Sequence, residues 1–523
     1  MVATRTRRRS RSRATQLVHK PRGVIHPRVQ RVGPEHFGIV SVDPAKARSK
    51  WMLCDFYGNV LIAPTALDHN RPALDAAIAQ VRQALATHDL QEVIVAIERS
   101  GRYHHVVRQA FAAADFETRI VHPFATKQFR QPSDPGNKTD DTDLCALHRA
   151  AVNGFALVEA PLDEPWRTLQ LLTRHRRDLV HKTSALCCQI REHLEAAYPG
   201  YAACFADFWG SDLALRLVRH FTSAAALLDA GLPGLAAHLR RQRVRFQRAT
   251  LDAVLAWAAQ AAPAEATAVC HRRLALDLDD DRQRKIQEIR GLEREIAALL
   301  VQTPYVLLLS FPGIHVVSAA DCAGEMGPMS HYASARTITG RAGLYPCRYQ
   351  SDQVDRADGP LVRCANRRLR AVILLIADNL IKCNQHFRAL AARWRTQGKD
   401  PRCTHVKIAL RFCRIAYQIV AGKQGFRHPS MQQRSYILDK LNAFHRDHAT
   451  PMAQTLADLQ AAIGQLPPGA YPREAQPLVE ELQRIEQGRR RGPQLLGDIL
   501  PIVLARLGVA PLQFQESGVD DPT

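Results

Sequence analysis

The chain reads as an α/β domain followed by a long all-α region, and three observations predict it. Short buried-strand patterns alternate with helical ones up to about residue 160. From Pro165 onward the apolar spacing turns long and helical, with Leu172, Leu179 and Leu186 recurring at seven. Hydrophobic content of 46% over 523 residues is ample for more than one core. The 71 Lys+Arg against 50 Asp+Glu leave a net charge of +21, a field that suits a polyanion such as nucleic acid. An anionic membrane surface is the rival partner. No segment nears the roughly 18 apolar residues of a spanning helix; the run from Ala371 to Ala377 stops at Asp378.

Residues 1–35 form a basic arm, with Arg5, Arg7, Arg8, Arg9, Arg11 and Arg13 and no acid before residue 35. It lacks the apolar stretch of an export signal and is expected to be disordered and to lie along phosphates. Residues 36–160 make the α/β domain. Phe37 to Asp43 is a buried strand ending on an acid, and Lys50 to Phe56 turns through Tyr57-Gly58-Asn59 into Val60-Leu61-Ile62. A helix from Pro72 to Thr87, a strand from Glu92 to Glu98, another helix and the strand Thr118 to Val121 follow. A Pro/Gly/Asn-rich loop then precedes a helix carrying Asp140 and Asp143. Three meandering strands followed by alternating helices and strands predict a ribonuclease H-like fold.

Residues 161–302 are helical. The leucine stripe continues through Ile190 and Leu194, and Ile286, Ile289, Ile296 and Leu300 mark a second stripe among dense charges. This predicts an antiparallel coiled-coil arm, with an ordinary helical bundle as the alternative. Residues 303–425 form a third unit and 426–523 a helical appendix. The twelve cysteines include no Cys-x-x-Cys pair, so they are expected as reduced thiols, mostly in the core.

Chemistry concentrates on four acids. Mg²⁺ prefers hard oxygen ligands, and holding two ions about 4 Å apart around one phosphate takes several carboxylates from different elements. Asp43 and Glu98 each close a strand and converge if those strands are neighbours. Asp140 and Asp143 stand at i, i+3 and share a helix face, whereas Asp141 points away. Asp140 could instead simply cap its helix. Two Mg²⁺ are expected, with Mn²⁺ as a substitute.

The stretches Val42-Asp43-Pro44-Ala45-Lys46, Ile97-Glu98-Arg99-Ser100-Gly101-Arg102-Tyr103 and Asn137-Lys138-Thr139-Asp140-Asp141-Thr142-Asp143 resemble the DEDD-type insertion-sequence transposases. These are bridge-RNA-guided DNA recombinases of mobile elements. The resemblance implies a RuvC-like first domain in which Asp43, Glu98, Asp140 and Asp143 are the metal-binding acids. Downstream, Ser310-Phe311-Pro312-Gly313-Ile314-His315 looks like a helix-hairpin-helix turn. Ser334-Ala335-Arg336, Ala342-Gly343-Leu344-Tyr345-Pro346, Tyr349-Gln350-Ser351 and Asn366-Arg367-Arg368-Leu369-Arg370 resemble the family's transposase domain in order and spacing. Ser351 then takes the place of a nucleophile that forms a phosphoserine link to DNA, and a serine hydroxyl needs activation for that. Where the family has a Gly-Gly pair after the serine, this chain has Asp352-Gln353.

Lys138, Gly313, Arg348, Arg367, Arg368 and Arg370 are expected to touch nucleic acid. His104 and His105 are expected as partly exposed helix residues. The resemblance further implies target and donor DNA and a structured bridge RNA as partners. It also implies a homo-oligomer, dimer or tetramer, held by the coiled coil in the bacterial cytoplasm. A metal nuclease using water and a non-catalytic nucleic-acid-binding protein are the competing readings.

Overall fold

The computed structural model describes residues 22–132, 136–159, 162–351, 354–356, 359–428 and 435–467. The basic arm up to residue 21 and residues 468–523 of the appendix lie outside the described residues. The chain divides after Pro161 into two compact units.

In the first unit α1 (His26–Val32) precedes β1 (Phe37–Pro44), β2 (Arg48–Asp55), β3 (Val60–Asp68) and α2 (Arg71–Thr87). Then come β4 (Glu92–Glu98), α3 (His104–Ala113), β5 (Glu117–Val121), α4 (Pro123–Arg130), α5 (Asp140–Val152) and the short β6 (Ala156–Leu157). The sheet order is β3-β2-β1-β4-β5-β6. β1 to β3 form an antiparallel meander, β4 runs parallel to β1, β5 parallel to β4, and β6 antiparallel to β5. β1 and β4 are almost wholly apolar because helices cover both faces of the sheet. Val40, Val42, Val95 and Ile97 pack with Val81 of α2 and Val107 and Phe111 of α3. Phe37, Ile39, Ile94 and Ala96 pack with Leu144, Leu147 and Ala150 of α5 on the opposite face. β3 runs six residues beyond the Ile62 read from sequence. It is an edge strand with exposed residues, which carry little hydrophobic signal.

In the second unit α6 (Glu164–Ala197) is followed by α7 (Asp212–His220), α8 (Ala224–Arg241), α9 (Arg248–Ala259) and α10 (Ala268–Leu300). α6 and α10 pair antiparallel within one chain. Arg176 donates to Glu293 at 2.6 Å near one end, and ring nitrogens of His193 and His271 lie 2.9 Å apart near the other. Leu179, Leu186, Ile190 and Leu194 are buried as the stripe predicted, but Leu172, Ile286 and Ile289 are only half-buried. The far end of the pair is closed by α7 to α9 around Tyr201, Leu217, Leu235 and Leu251.

The remainder is a 3₁₀ segment (Pro304–Ser310), α11 (Val316–Met326), α12 (Ala335–Ala342), the hairpin β7 (Tyr349–Ser351) and β8 (Val354–Arg356), α13 (Arg367–Cys383), α14 (Gln385–Thr396) and α15 (Pro401–Gly422). α16 (Ile437–Asp447) and α17 (Met452–Gln465) follow, and their Ile437, Leu441 and Leu459 enter the same core as Tyr305, Phe311, Ile376 and Phe412. The first part of the appendix is therefore continuous with this core.

The Pro312-Gly313 turn follows 3₁₀ rather than α structure. Gly313 has φ +92°, and a side chain there would sit 3.0 Å from the Asn379 carbonyl oxygen and Cys383 Cβ of α13. The Lys440 ammonium donates to the carbonyls of Leu309, Phe311 and Ile314 at 2.8, 2.6 and 2.7 Å, so the turn is held from within. All twelve cysteines are free, but only Cys54, Cys322 and Cys413 are buried, which corrects the expectation of mostly core thiols. Seven of the others, Cys145, Cys188 and Cys403 among them, stand on the surface; being small, a thiol is tolerated there at little cost. No helix among the described residues is long and apolar enough to cross a membrane.

Buried acids fasten α6 to its neighbours. Glu325 of α11 accepts both forks of Arg174 at 2.7 and 2.9 Å and also Asn366 Nδ2 at 3.3 Å. Burial pushes the Glu325 carboxyl up, but these donors outweigh it and hold it below the usual carboxylate range. Glu293 takes Arg176 and His448 together. A buried pair stabilises only when its partners stay matched. Glu325→Ala, which strands Arg174, should therefore cost about 2–3 kcal/mol. A thermal melt should show the loss, and an unchanged midpoint would mean that the lock carries no stability.

Candidate active site

The β1–β4 register pairs Val42 with Ile97, so the next residues along each strand, Asp43 and Glu98, stand side by side at two parallel strand ends. The two-residue period decides their direction. Asp43 follows Phe37 and Ile39, and Glu98 follows Ile94 and Ala96, on the face that α5 covers. α5 begins at Asp140, with Asp143 buried one turn on. Its cap is Thr139, whose hydroxyl accepts from the Thr142 N–H, while Thr142 Oγ1 accepts from the Thr139 N–H at 3.0 Å. The capping role is therefore filled, and Asp140 does not serve as the cap.

The four acids share one field. Burial pushes the Asp43 carboxyl up, the charges of Glu98, Asp143 and Asp140 push it further, and Lys138 only partly offsets them, leaving it at about 7. Arg130 of α4 forms an ion pair with Asp143. Lys50, the cross-strand partner of Asp43, binds Asp141 at 2.7 Å. Arg130 and Lys50 were not singled out from sequence, because charge pairs across elements leave no local pattern. Ser41 was missed as well. It is buried two residues before Asp43 on the same face, its Oγ has no hydrogen-bond partner among the described residues, and a lone hydroxyl in an apolar strand was its only signal. An all-oxygen donor set from three elements suits a hard cation. Among the described residues no three ligating side chains close on one point, so the acids form a charged cluster rather than a finished coordination shell.

His104 is buried at the start of α3, with Nδ1 unpartnered, and not partly exposed as the sequence suggested; the His105 ring lies 4.2 Å from it. The first turn of α3 packs inward ahead of Val107 and Phe111, which draws His104 in with them.

Ser351 belongs to the second unit. It ends β7, exposed, opposite Val354. Asp352, Gln353 and Asp358 lie outside the described residues. The hairpin base is closed by Cys347 N–H to the Pro360 carbonyl at 2.8 Å and Val362 N–H to the Tyr345 carbonyl at 3.1 Å. Gly343 at φ +62° is required there, since a Cβ would meet Ala365 Cβ and Arg370 Nη2 at 2.5 Å. Arg370 donates to the Ala342 carbonyl at 2.8 Å and to that of Val362, so its guanidinium braces the hairpin. Arg348, Arg367 and Arg368 are exposed. Asn366 caps α13, accepting from the Leu369 N–H at 3.0 Å.

A DEDD-type transposase model matches residues 40–199, and a model described as "Transposase IS116/IS110/IS902 family" matches residues 305–392. The 44.8 kDa protein of insertion element IS116 from Streptomyces clavuligerus is 30% identical over 326 residues, which is 59% of this chain and 75% of that protein. This chain belongs to the IS116/IS110/IS902 transposase family. The 42 kDa protein of insertion element IS900 from Mycobacterium paratuberculosis is 31% identical over 260 residues, 46% of this chain and 60% of its own length. The 43.6 kDa protein of insertion element IS110 from Streptomyces coelicolor is 27% identical over 290 residues, 54% and 69% of the two chains. The transposase matches contain the four acids and Ser351 respectively, and residues 200–304 fall between them.

The crowding at Asp43 has a measurable sign. An acid raised from 3.8 to about 7 holds its proton in the fold, so stability falls as pH rises through that window. In chelator, Asp43→Asn should be more stable than the parent above pH 7 by about 1–3 kcal/mol, an estimate discounted for partial exposure. The gain should disappear below about pH 4. Thermal melts across pH test this; a gain independent of pH would refute the shared field.

Proposed function

We propose that this transposase is a site-specific DNA recombinase that uses Ser351 as nucleophile and Asp43, Glu98, Asp140 and Asp143 as a divalent-metal site. The observation that carries the reading is the placement of Asp43 beside Glu98 under the start of α5. The sheet order, a three-strand meander followed by parallel β4 and β5, supports a ribonuclease H-like, RuvC-like domain. Two Mg²⁺, or Mn²⁺, bound by these carboxylates would offset charge on a phosphate under attack. Asp43, Glu98, Asp140 and Asp143 supply oxygens, Asp143 while paired with Arg130, and Lys50 holds Asp141 apart from them. Ser351 Oγ forms a bond to a DNA phosphorus as the bond from that phosphorus to a deoxyribose oxygen breaks, and that oxygen leaves as a hydroxyl carrying the proton that Ser351 gives up.

Arg348, Arg367 and Arg368, exposed around the hairpin, and Lys138 beside the acids bind backbone phosphates. Gly313 acts in this reading by allowing the tight turn before α11, in keeping with a helix-hairpin-helix. A structured bridge RNA pairs with target and donor DNA and supplies sequence choice, leaving backbone contacts to a protein of net charge +21. Strand exchange requires several active sites, hence a dimer or tetramer.

A denaturing gel of labelled DNA, Mg²⁺ and co-purified RNA tests the chemistry. A slow-migrating protein–DNA adduct should form, vanish in Ser351→Ala, and fall at least 100-fold in Asp43→Ala. Cleavage without an adduct, unchanged in Ser351→Ala, would establish a water-using nuclease instead.

A further inference from the structure

Residues 200–304 lie outside both transposase matches, yet they carry a built cavity. Its volume is about 600 Å³, and it opens where α7, the C-terminal end of α8 and α10 meet. Arg216, Arg219, Arg282 and Arg290 line it with Trp209 and Gln242. Asp279, the one carboxylate in its wall among the described residues, is already taken by Arg219 at 2.9 Å and Arg282 at 2.9 Å, and Arg219 also binds Asp280 at 2.7 Å. Arg282 lies over the Trp209 ring at 5.0 Å. Arg216 reaches only Gln242, at 3.4 Å, and among the described residues no carboxylate pairs with Arg216 or Arg290. Among the described residues the wall therefore presents two guanidiniums without a carboxylate partner, beside a stacked aromatic–guanidinium surface.

Gln242 links the cavity to a second feature. Arg240, Arg241, Arg243, Arg245 and Arg248 fall within nine residues that contain no acid, and all five are exposed. Only Arg248 has an acidic partner among the described residues, Asp252 at 3.7 Å. A pocket of this size admits one nucleotide, as ligand cavities run about 300–1,000 Å³. Paired aromatic and guanidinium surfaces hold bases, and a row of cations tracks a phosphate backbone. A free nucleotide would use the pocket alone. The continuous arginine run favours a polymer.

We propose that the segment 200–304 is a single-stranded nucleic-acid site. One nucleotide enters the cavity with its base at Trp209 and Arg282 and its phosphate on Arg216 and Arg290, while neighbouring phosphates follow Arg240 to Arg245. The inference rests on the proposed function only in the kind of partner it takes.

The test uses the full-length protein and a fluorescent, bromouracil-substituted single strand, prepared as DNA and as RNA. Photo-crosslinks should map to the Trp209 segment. Arg216→Glu with Arg290→Glu should weaken binding by about 10-fold or more and lower the salt slope by about 1–2, while the melt is retained. Arg241→Glu with Arg243→Glu lies on the exposed run, so it gives the same test should the first variant not fold. Crosslinks confined to segments outside 200–304, with affinity unchanged in either variant, overturn the proposal. Displacement by a mononucleotide as effective as by an unlabelled strand assigns a small-molecule pocket and overturns it too, as does preferential displacement by polyglutamate. Asp43→Ala should abolish cleavage and keep the Trp209 crosslink; that crosslink in a protein that cleaves nothing would leave this site standing and sink only the recombinase reading.

Discussion

The acidic centre depends on the pairing register of β1 against β4. A slip of one residue would turn Asp43 or Glu98 to the opposite face of the sheet. The register is held by burial, since Phe37, Ile39, Ile94 and Ala96 meet α5 while Val40, Val42, Val95 and Ile97 meet α2 and α3. The same alternation that stabilises the sheet therefore forces two carboxylates together at its end. Nothing local relieves them fully. Arg130 is committed to Asp143 and Lys50 to Asp141, and Lys138 lowers Asp43 only in part. A core arranged in this way gives up stability at one point, and strongly perturbed carboxyls of this kind mark candidate functional sites.

The second unit solves a different problem, that of holding an exposed strand end on a rigid base. Arg174 and Arg177 of α6 fix Glu325 and Asp321 of α11, and Glu325 also engages Asn366, which starts α13. Arg341 donates to the Tyr332 hydroxyl at 2.5 Å, fixing α12 to the segment before it, and Arg370 of α13 donates to the Ala342 carbonyl of α12 and to the Val362 carbonyl at the hairpin base. Ser351 is thus exposed at the end of a braced stalk. Exposure is compatible with the role proposed for Ser351, and bracing limits the entropy of placing it.

What could be read in the sequence follows the range of the forces involved. β4 was read to the residue, and β1 and α2 nearly so, because both flanks of each are marked by apolar runs and breakers. The four acids stood out because each falls at a strand end or a helix start. Arg130, Lys50 and the Thr139–Thr142 cap were not read, although together they decide which acids are free. Their partners are set by tertiary placement or by a Thr-for-Glu variation on the capping box. The surface cysteines and buried His104 missed expectation for the same reason: residue type gives only an average burial.

The pairing of α6 with α10 sets the α7–α9 tip apart from the core beneath the Ser351 hairpin. The middle of the pair is lightly packed: Ile286 and Ile289 are half-buried, and charges such as Asp281–Lys285 at 2.8 Å occupy much of its surface. Its two ends belong to separate cores. Leu169, Ile296 and Leu300 join the core under the hairpin, whereas Leu186, Ile190 and Leu194 join the one formed by α7 to α9. Perturbations at the tip must therefore cross a stretch with little apolar continuity, and coupling through packed side chains weakens accordingly. A helical pair with independent cores at its ends lets the tip acquire a cavity and an arginine run while Ser351 keeps its setting. Separation of this kind favours binding functions at the tip over direct participation in the reaction.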